Sequence, residues 1–406
     1  MISADFASWI TARRLRAHGL ILALCLWSVY AWNIAAPGLL DRAGNLKGTD
    51  FLHFYTLGTI ALSHQGASLY DLAAQSRLAA QRIPAAAGIR YLPLYPPQVS
   101  IFFAPFARIS YSGALIAWLL LSSIIYFLCC YSIWRALPAL REHWLTVVIL
   151  AFAYPAFWHL IAWGQTSALA LAFFTLSYFA LRAKHEFLAG LAFGCLIFKP
   201  QLALAAAIIF VVTVNWRIIA GALISATGQL AAAWLYYGPA PLREWLRALR
   251  RVPGELSLFE PRLYQTHCLR TFWTMLVPWP SVSLALYVIT ATVVLVFAVA
   301  CWRSRIPLSV SYAALLLASV LIAPHLTVYD LVILAPVFLL LCDWIVVRPD
   351  NSAAQYFKLL LYLVFALPLL GPLARWTHFQ LSVPVMFALL YGIWKLRRTS
   401  VLIGES

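Results

Sequence analysis

Acidic residues are scarce: 13 Asp and Glu stand against 29 Lys and Arg, and all four types together make up only 10% of the chain. A soluble domain carries about a quarter of its residues as charges, so a water-exposed surface of ordinary extent is excluded. The seven cysteines, at positions 25, 129, 130, 195, 268, 301 and 342, show no metal-ligand spacing. All but Cys268 lie in or beside apolar runs, which excludes a disulfide framework and makes them small core hydrophobes. The two-residue alternation of an outer-membrane barrel is also missing, as are internal repeats and low-complexity tracts.

What remains is apolar. Hydrophobic residues make up 64% of the chain, in long runs broken by short basic stretches. Such runs predict a polytopic membrane protein, and because the hydrocarbon core offers no water to backbone amides, the spans must be helices. The fold class is therefore all-α and integral to the membrane, as one domain over 1–406. The net charge of +16 belongs to loop ends and a few basic stretches, so nucleic acid is set aside as a partner and the lipid bilayer is retained.

Arg13, Arg14 and Arg16 precede the first run and place the N-terminus in the cytoplasm, as an uncleaved signal anchor. The expected spans are 19–36, 111–134, 144–162, 165–182, 186–198, 200–215, 217–237, 282–302, 306–323, 327–347, 356–373 and 378–396. That makes about twelve (eleven to thirteen), with both termini inside. The piece following Tyr91-Leu92-Pro93-Leu94-Tyr95-Pro96-Pro97 is read as re-entrant, because a crossing there would put Arg135, Arg141, Arg182 and Lys184 outside. The span 186–198 is short and ends at Phe198-Lys199-Pro200, an interruption of the kind that places polar groups at depth. Gly190 and Gly194 in it form a GxxxG pair suited to close helix packing.

Two long loops then lie outside, 37–93 and 238–281. The first is expected to carry two helices resting on the membrane surface, one opening at Asp50 and one after Tyr70-Asp71. The second carries Arg243, Arg247, Arg250 and Arg251, of which Arg243, Arg247 and either Arg250 or Arg251 share a face if Pro241 to Val252 is helical. On the same side fall Asp50, His53, Tyr95, Gln165, Lys199, His325 and Asp330. Charge near hydrocarbon is costly and tends to be functional. Carboxylate, imidazole and cations in one outward cavity suit transfer from a phosphate-bearing lipid to a hydroxyl: a base takes the hydroxyl proton and cations stabilise the departing phosphate. Each residue also has a plainer use. Asp50 suits a helix cap, His53 an interfacial hydrogen bond to water, Gln165 a bond to a neighbouring helix, Lys199 a snorkelling ammonium, and the loop arginines a grip on anionic head groups.

The segments Asp50-Phe51 with Phe54-Tyr55, Leu69-Tyr70-Asp71, Tyr95-Pro96-Pro97, Gly164-Gln165, Lys199-Pro200-Gln201 and Pro324-His325 through Tyr329-Asp330, in this order, resemble glycosyltransferase family 87. This is a bacterial group of GT-C membrane enzymes that includes polyprenol-phosphate-mannose-dependent mannosyltransferases. The resemblance implies a GT-C fold in the cell membrane, an active site on the periplasmic face, and inverting transfer of a hexose, mannose first, from a polyprenyl-phosphate donor to a glycolipid or glycan acceptor. It makes Asp50 the catalytic base with His325 as its helper. Lys199, with Arg243, Arg247, Arg250 and Arg251, is placed at the donor phosphate, and His53, Tyr55, Tyr95, Gln165, Gln201, Tyr329 and Asp330 at the substrates. The Gly-Gln motif departs from the family in continuing as Thr166-Ser167-Ala168 instead of toward Asn. No metal or other cofactor is demanded, although a divalent ion beside Asp50 stays open. The rival class is a transporter or flippase for lipid-linked sugars, in which the same charges would line a path.

Overall fold

A computed structural model describes residues 9–259, 262–349 and 351–403. Helices dominate it, and no strand occurs among the described residues beyond the isolated bridges Leu40–Leu46 and Thr266–Thr327. In chain order the helices are α1 (Ala12–Ile34), α2 (Thr49–Leu62), α3 (Leu72–Arg82), α4 (Gln98–Phe103), α5 (Tyr111–Arg135), α6 (Trp144–Ala153), α7 (Pro155–Trp163), α8 (Ser167–Arg182), α9 (Glu186–Gly194) and α10 (Pro200–Val212). They continue as α11 (Trp216–Tyr237), α12 (Ala240–Phe259), α13 (Leu269–Leu276), α14 (Pro280–Trp302), α15 (Leu308–Ile322), α16 (Ala335–Val346), α17 (Ser352–Ala366), α18 (Ala374–Thr377) and α19 (Ser382–Ile403). Every expected span falls on one of these helices or on a broken pair. Among the described residues, six helical segments are long and apolar enough to cross a bilayer, or seven when Pro138–Ala153 and Pro155–Trp163, bent by 42° at the break between them, count as one.

The shorter apolar helices are held by neighbours. Helix α15 is buried at every position from Val310 to Ile322 and packs against α10, α14, α16 and α19. A helix apolar on all faces needs just such enclosure. Helix α9 lies against α11 through glycines: a Cβ on Gly190 would stand 2.1 Å from the Ile218 carbonyl oxygen, and one on Gly194 would stand 2.3 Å from that of Ala222. The GxxxG pair therefore sets a backbone-to-backbone approach.

The first long loop departs from expectation. Helix α2 does not lie on the membrane surface, for Phe51 through Ala61 are all buried. Its aromatic and aliphatic residues cover every face, so it behaves as a core helix. A Cβ on Gly58 would stand 2.4 Å from the Phe103 carbonyl oxygen, which seats α2 directly on α4. Helix α3 is the more exposed of the two, with Gln75 and Ala79 buried, and Asp71 caps it by accepting from Ala73 N and Ala74 N.

The segment from Tyr91 to Tyr111 leaves and returns at one place. Tyr91 Oη donates to the Thr49 carbonyl at its start, and Tyr111 Oη donates to the carbonyls of Lys47 (2.8 Å) and Gly48 (3.0 Å) at its end. The six residues of α4 between them extend roughly 9 Å, too little to cross. From Tyr111, α5 runs away to Arg135, where Arg182 donates to the Ala136 carbonyl and, with Arg348, flanks Asp343. These basic loop residues thus gather at the end of the bundle opposite Asp50.

Candidate active site

Four breaks in the helical order meet at one end of the bundle: the start of α2, the α7–α8 joint, the start of α10, and the turn Val328–Leu334 before α16. Each break supplies at least one polar side chain. Asp50 comes from the first turn of α2, whose cap position is Gly48 and not Asp50. Its carboxylate is therefore not spent on capping. Oδ2 accepts from Gln165 Nε2 at 2.7 Å, and Oδ1 accepts no hydrogen bond among the described residues.

Gln165 uses its whole amide. Nε2 donates to Asp50 and to Tyr329 Oη (3.2 Å), while Oε1 accepts from Thr166 N (3.2 Å) and Lys199 Nζ (3.4 Å). Lys199 follows a 3₁₀ turn that interrupts the apolar run before Pro200, where chain direction changes and its side chain is left inside. Its ammonium pairs with Asp330 Oδ1 at 2.8 Å and donates to Ser167 Oγ at 3.0 Å; Lys199 and Asp330 side chains are 3% and 2% exposed. Ser167 in turn donates to Asp330 Oδ1 at 2.5 Å. Asp330 Oδ2 accepts from Thr327 N and Oγ1, both at 3.3 Å, closing a capping box on the turn.

Electrostatics separates the two carboxylates. Asp330 sits against an ammonium. Asp50 is half-buried, its carboxylate hydrogen-bonded among the described residues only by the Gln165 amide, and burial lifts its pKa from 3.8 to about 6. The Gln165 hydrogen bond and the charges of Lys199 and His325 oppose that rise, and the Asp330 charge adds to it. A carboxylate so placed holds a proton at a pH where an ordinary one does not, and is a better base for it.

Two further groups stand at the rim. Tyr95 projects toward Thr166, Lys199 and Asp330. His325 is half-buried in a turn held by the second long loop: Arg270 Nε donates to the Pro324 carbonyl, and His267 N donates to that of Leu326 at 3.0 Å. Among the described residues no three His, Cys, Asp or Glu side chains gather closely enough to hold a metal ion.

The structure thus brings Asp50, Gln165, Lys199, Tyr329 and Asp330 into one hydrogen-bonded cluster, with Tyr95 and His325 beside it. It leaves other expected residues out. Tyr55 Oη donates to the Ile109 carbonyl at 2.9 Å and its ring packs on Tyr111, so it braces α2 and does not face the cluster. Gln201, half-buried on α10, makes no hydrogen bond to the cluster. His53 is not at a wet interface. It is 4% exposed, between Tyr91 and Tyr95, in a crevice without room for a water, and neither ring nitrogen has a hydrogen-bond partner among the described residues. Burial drives its pKa down to about 3, so the ring is neutral. Arg243, Arg247, Arg250 and Arg251 are exposed on α12, with Arg247 paired to Glu244 at 2.5 Å. The other face of α12 docks on the first loop, where Trp245 Nε1 donates to the Leu94 carbonyl at 2.9 Å.

Ser167, Thr327, Tyr91, Tyr111 and Arg270 are members or supports of the cluster that sequence reasoning passed over. Ser167 had a signal, since it occupies the departure after Gly164-Gln165; the tyrosines had none, because a tyrosine bonding a distant carbonyl looks like any interfacial aromatic.

Residues 94–324, more than half of the chain, match the family model of glycosyltransferase family 87. The matched stretch includes Gln165, Ser167 and Lys199. No curated protein and no solved structure matches the chain.

Proposed function

The chain belongs to glycosyltransferase family 87, and from that premise we propose that it transfers a hexose, mannose first, from a polyprenyl-phosphate donor to an acceptor hydroxyl at the periplasmic face of a bacterial cell membrane, with both termini in the cytoplasm. The observation that carries this reading is the pair of Asp50 oxygens: Oδ2 is held by Gln165 and Oδ1 is left for an incoming hydroxyl. The acceptor proton passes to Asp50 as the acceptor oxygen bonds to C1 of the sugar. The C1–O bond to phosphate breaks on the opposite face, polyprenyl phosphate departs with the bonding electrons, and the anomeric configuration inverts. His325 stands beside Asp50 and assists in one of two ways: as a neutral imidazole it is a second proton acceptor, and as an imidazolium it favours the ionised carboxylate. The exposed arginines of α12 attract anionic lipid head groups toward this end of the bundle.

The test uses membranes containing the protein, polyprenyl-phosphate [¹⁴C]mannose and a lipid acceptor. Wild type transfers label; Asp50→Asn loses transfer by about 10²–10⁴-fold, the usual contribution of a general base. Undiminished transfer in Asp50→Asn overturns the assignment of the base. Transfer of a labelled pentose in preference to mannose overturns the sugar.

A further inference from the structure

We infer that Lys199 is a positioning residue for Asp50, acting through the Gln165 amide, and that Asp330 holds it in that role and away from the donor phosphate. This rests on Asp50 being the base. A glutamine amide has two orientations, and only its partners decide between them. Here Lys199 Nζ and Thr166 N both point at Oε1, at 3.4 and 3.2 Å. Turning the amide over would set its NH₂ against two donors and its oxygen against the Asp50 carboxylate. The orientation that satisfies Lys199 therefore aims one Nε2 hydrogen at Asp50 and the other at Tyr329.

The ammonium has nothing left to offer a phosphate. Its three hydrogens are directed to Asp330 Oδ1, Ser167 Oγ and Gln165 Oε1. Its charge is cancelled by a carboxylate in contact with it, and both side chains are nearly closed to solvent. Removing either member alone leaves an uncompensated buried charge. The arrangement also keeps the two acids apart in function, because Asp330 takes the ion pair and Thr327, and Asp50, among the described residues, takes the amide.

Other groups facing Asp50 are Tyr91 and Tyr95 from the re-entrant segment, Tyr111 from α5, Tyr329 from the turn before α16, and His325. The tyrosines are neutral near pH 7 and give no charge. The Lys199 charge favours ionised Asp50 and the Asp330 charge disfavours it, so the two substitutions have opposite signs.

The experiment titrates the Asp50 carboxyl by infrared spectroscopy of the full chain in nanodiscs, its band identified by its disappearance in Asp50→Asn. Mannosyl transfer is followed across the same pH range. Lys199→Met moves the Asp50 midpoint and the acid limb of transfer upward by about one pH unit or more, and Asp330→Asn moves both downward. In a Gln165→Leu background most of the Lys199→Met shift disappears. Midpoints unmoved in both single variants overturn the inference, as does a Lys199→Met variant that raises only the KM for donor. If Lys199→Met does not fold, Asp330→Asn is titrated with and without Gln165→Leu: a shift of the same size in both backgrounds is the direct charge effect alone and overturns the inference, and a shift that changes when the amide is lost supports it. Transfer that survives Asp50→Asn removes the assignment of the base instead, an outcome separate from the infrared result.

Discussion

Gly164 and Phe51 touch backbone to side chain: a Cβ placed on Gly164 would lie 2.8 Å from Phe51 Cβ, and Gly164 has φ +70°. This contact brings the residue after Gly164 against the residue before Phe51, which is how Gln165 reaches Asp50. Trp118 Nε1 fixes the same joint by donating to the Gly164 carbonyl at 3.0 Å. Gly164→Ala adds left-handed strain and a clash, expected to cost about 1–3 kcal/mol. Because any relief separates Asp50 from Gln165, transfer should fall at least tenfold while most of the protein still folds. Thermal melts in detergent and a transfer assay at matched folded fraction check this.

The Asp50 pKa makes stability depend on pH in a stated direction. Its folded value of about 6 lies above the unfolded 3.8, so the folded chain holds this proton more tightly. Below pH 3.8 the group has no effect; as pH rises toward 6 stability declines, by at most about 3 kcal/mol. Asp50→Asn escapes the decline. It should be more stable than wild type at pH 7.5 and equal to it at pH 4, while lacking transfer. Equal stability at both values would show that the carboxyl titrates normally.

His53 offers a different contrast. Two buried ring nitrogens without a hydrogen-bond partner among the described residues cost stability, so His53→Leu should leave the protein as stable as wild type or more so by about 1 kcal/mol. Its transfer should stay within a few-fold. A large rise in acceptor KM would instead assign the crevice to substrate.

The α12 arginines are solvent-facing, so their influence is long-range and screened by salt. Replacing Arg243, Arg247, Arg250 and Arg251 together by Gln should raise the KM for the anionic donor at low ionic strength, leave kcat alone, and flatten the dependence of KM on salt. Arg247→Gln by itself breaks only an exposed pair and should change stability by under about 0.5 kcal/mol. An ionic-strength series of donor titrations reads both effects.

Much of this was legible because a bilayer leaves the chain few choices. Long apolar runs must be helical, and the positions of the helices followed directly. Asp50, Gln165, Lys199 and Asp330 stood out as polar residues in apolar surroundings, where idleness is expensive. Which faces met was not legible. Helix α2 is apolar all round, so periodicity said nothing of where Tyr55 points, and it turned toward Ile109. The arginine row on α12 was visible as a row, but its opposite face carries the dock through Trp245, which leaves the charges outward.

The sequence by itself determined the helical membrane architecture and the short set of side chains too costly to bury without partners. Only the tertiary structure decided how they divide the work. Asp50 and Gln165 lie 115 positions apart, and Lys199 and Asp330 lie 131 apart. Both acids are equivalent as letters; Coulomb attraction falls with separation, so the one 2.8 Å from an ammonium becomes a fixed ion pair. The other has an amide on one oxygen and, among the described residues, no hydrogen bond on the other, which is the arrangement the proposed base role requires.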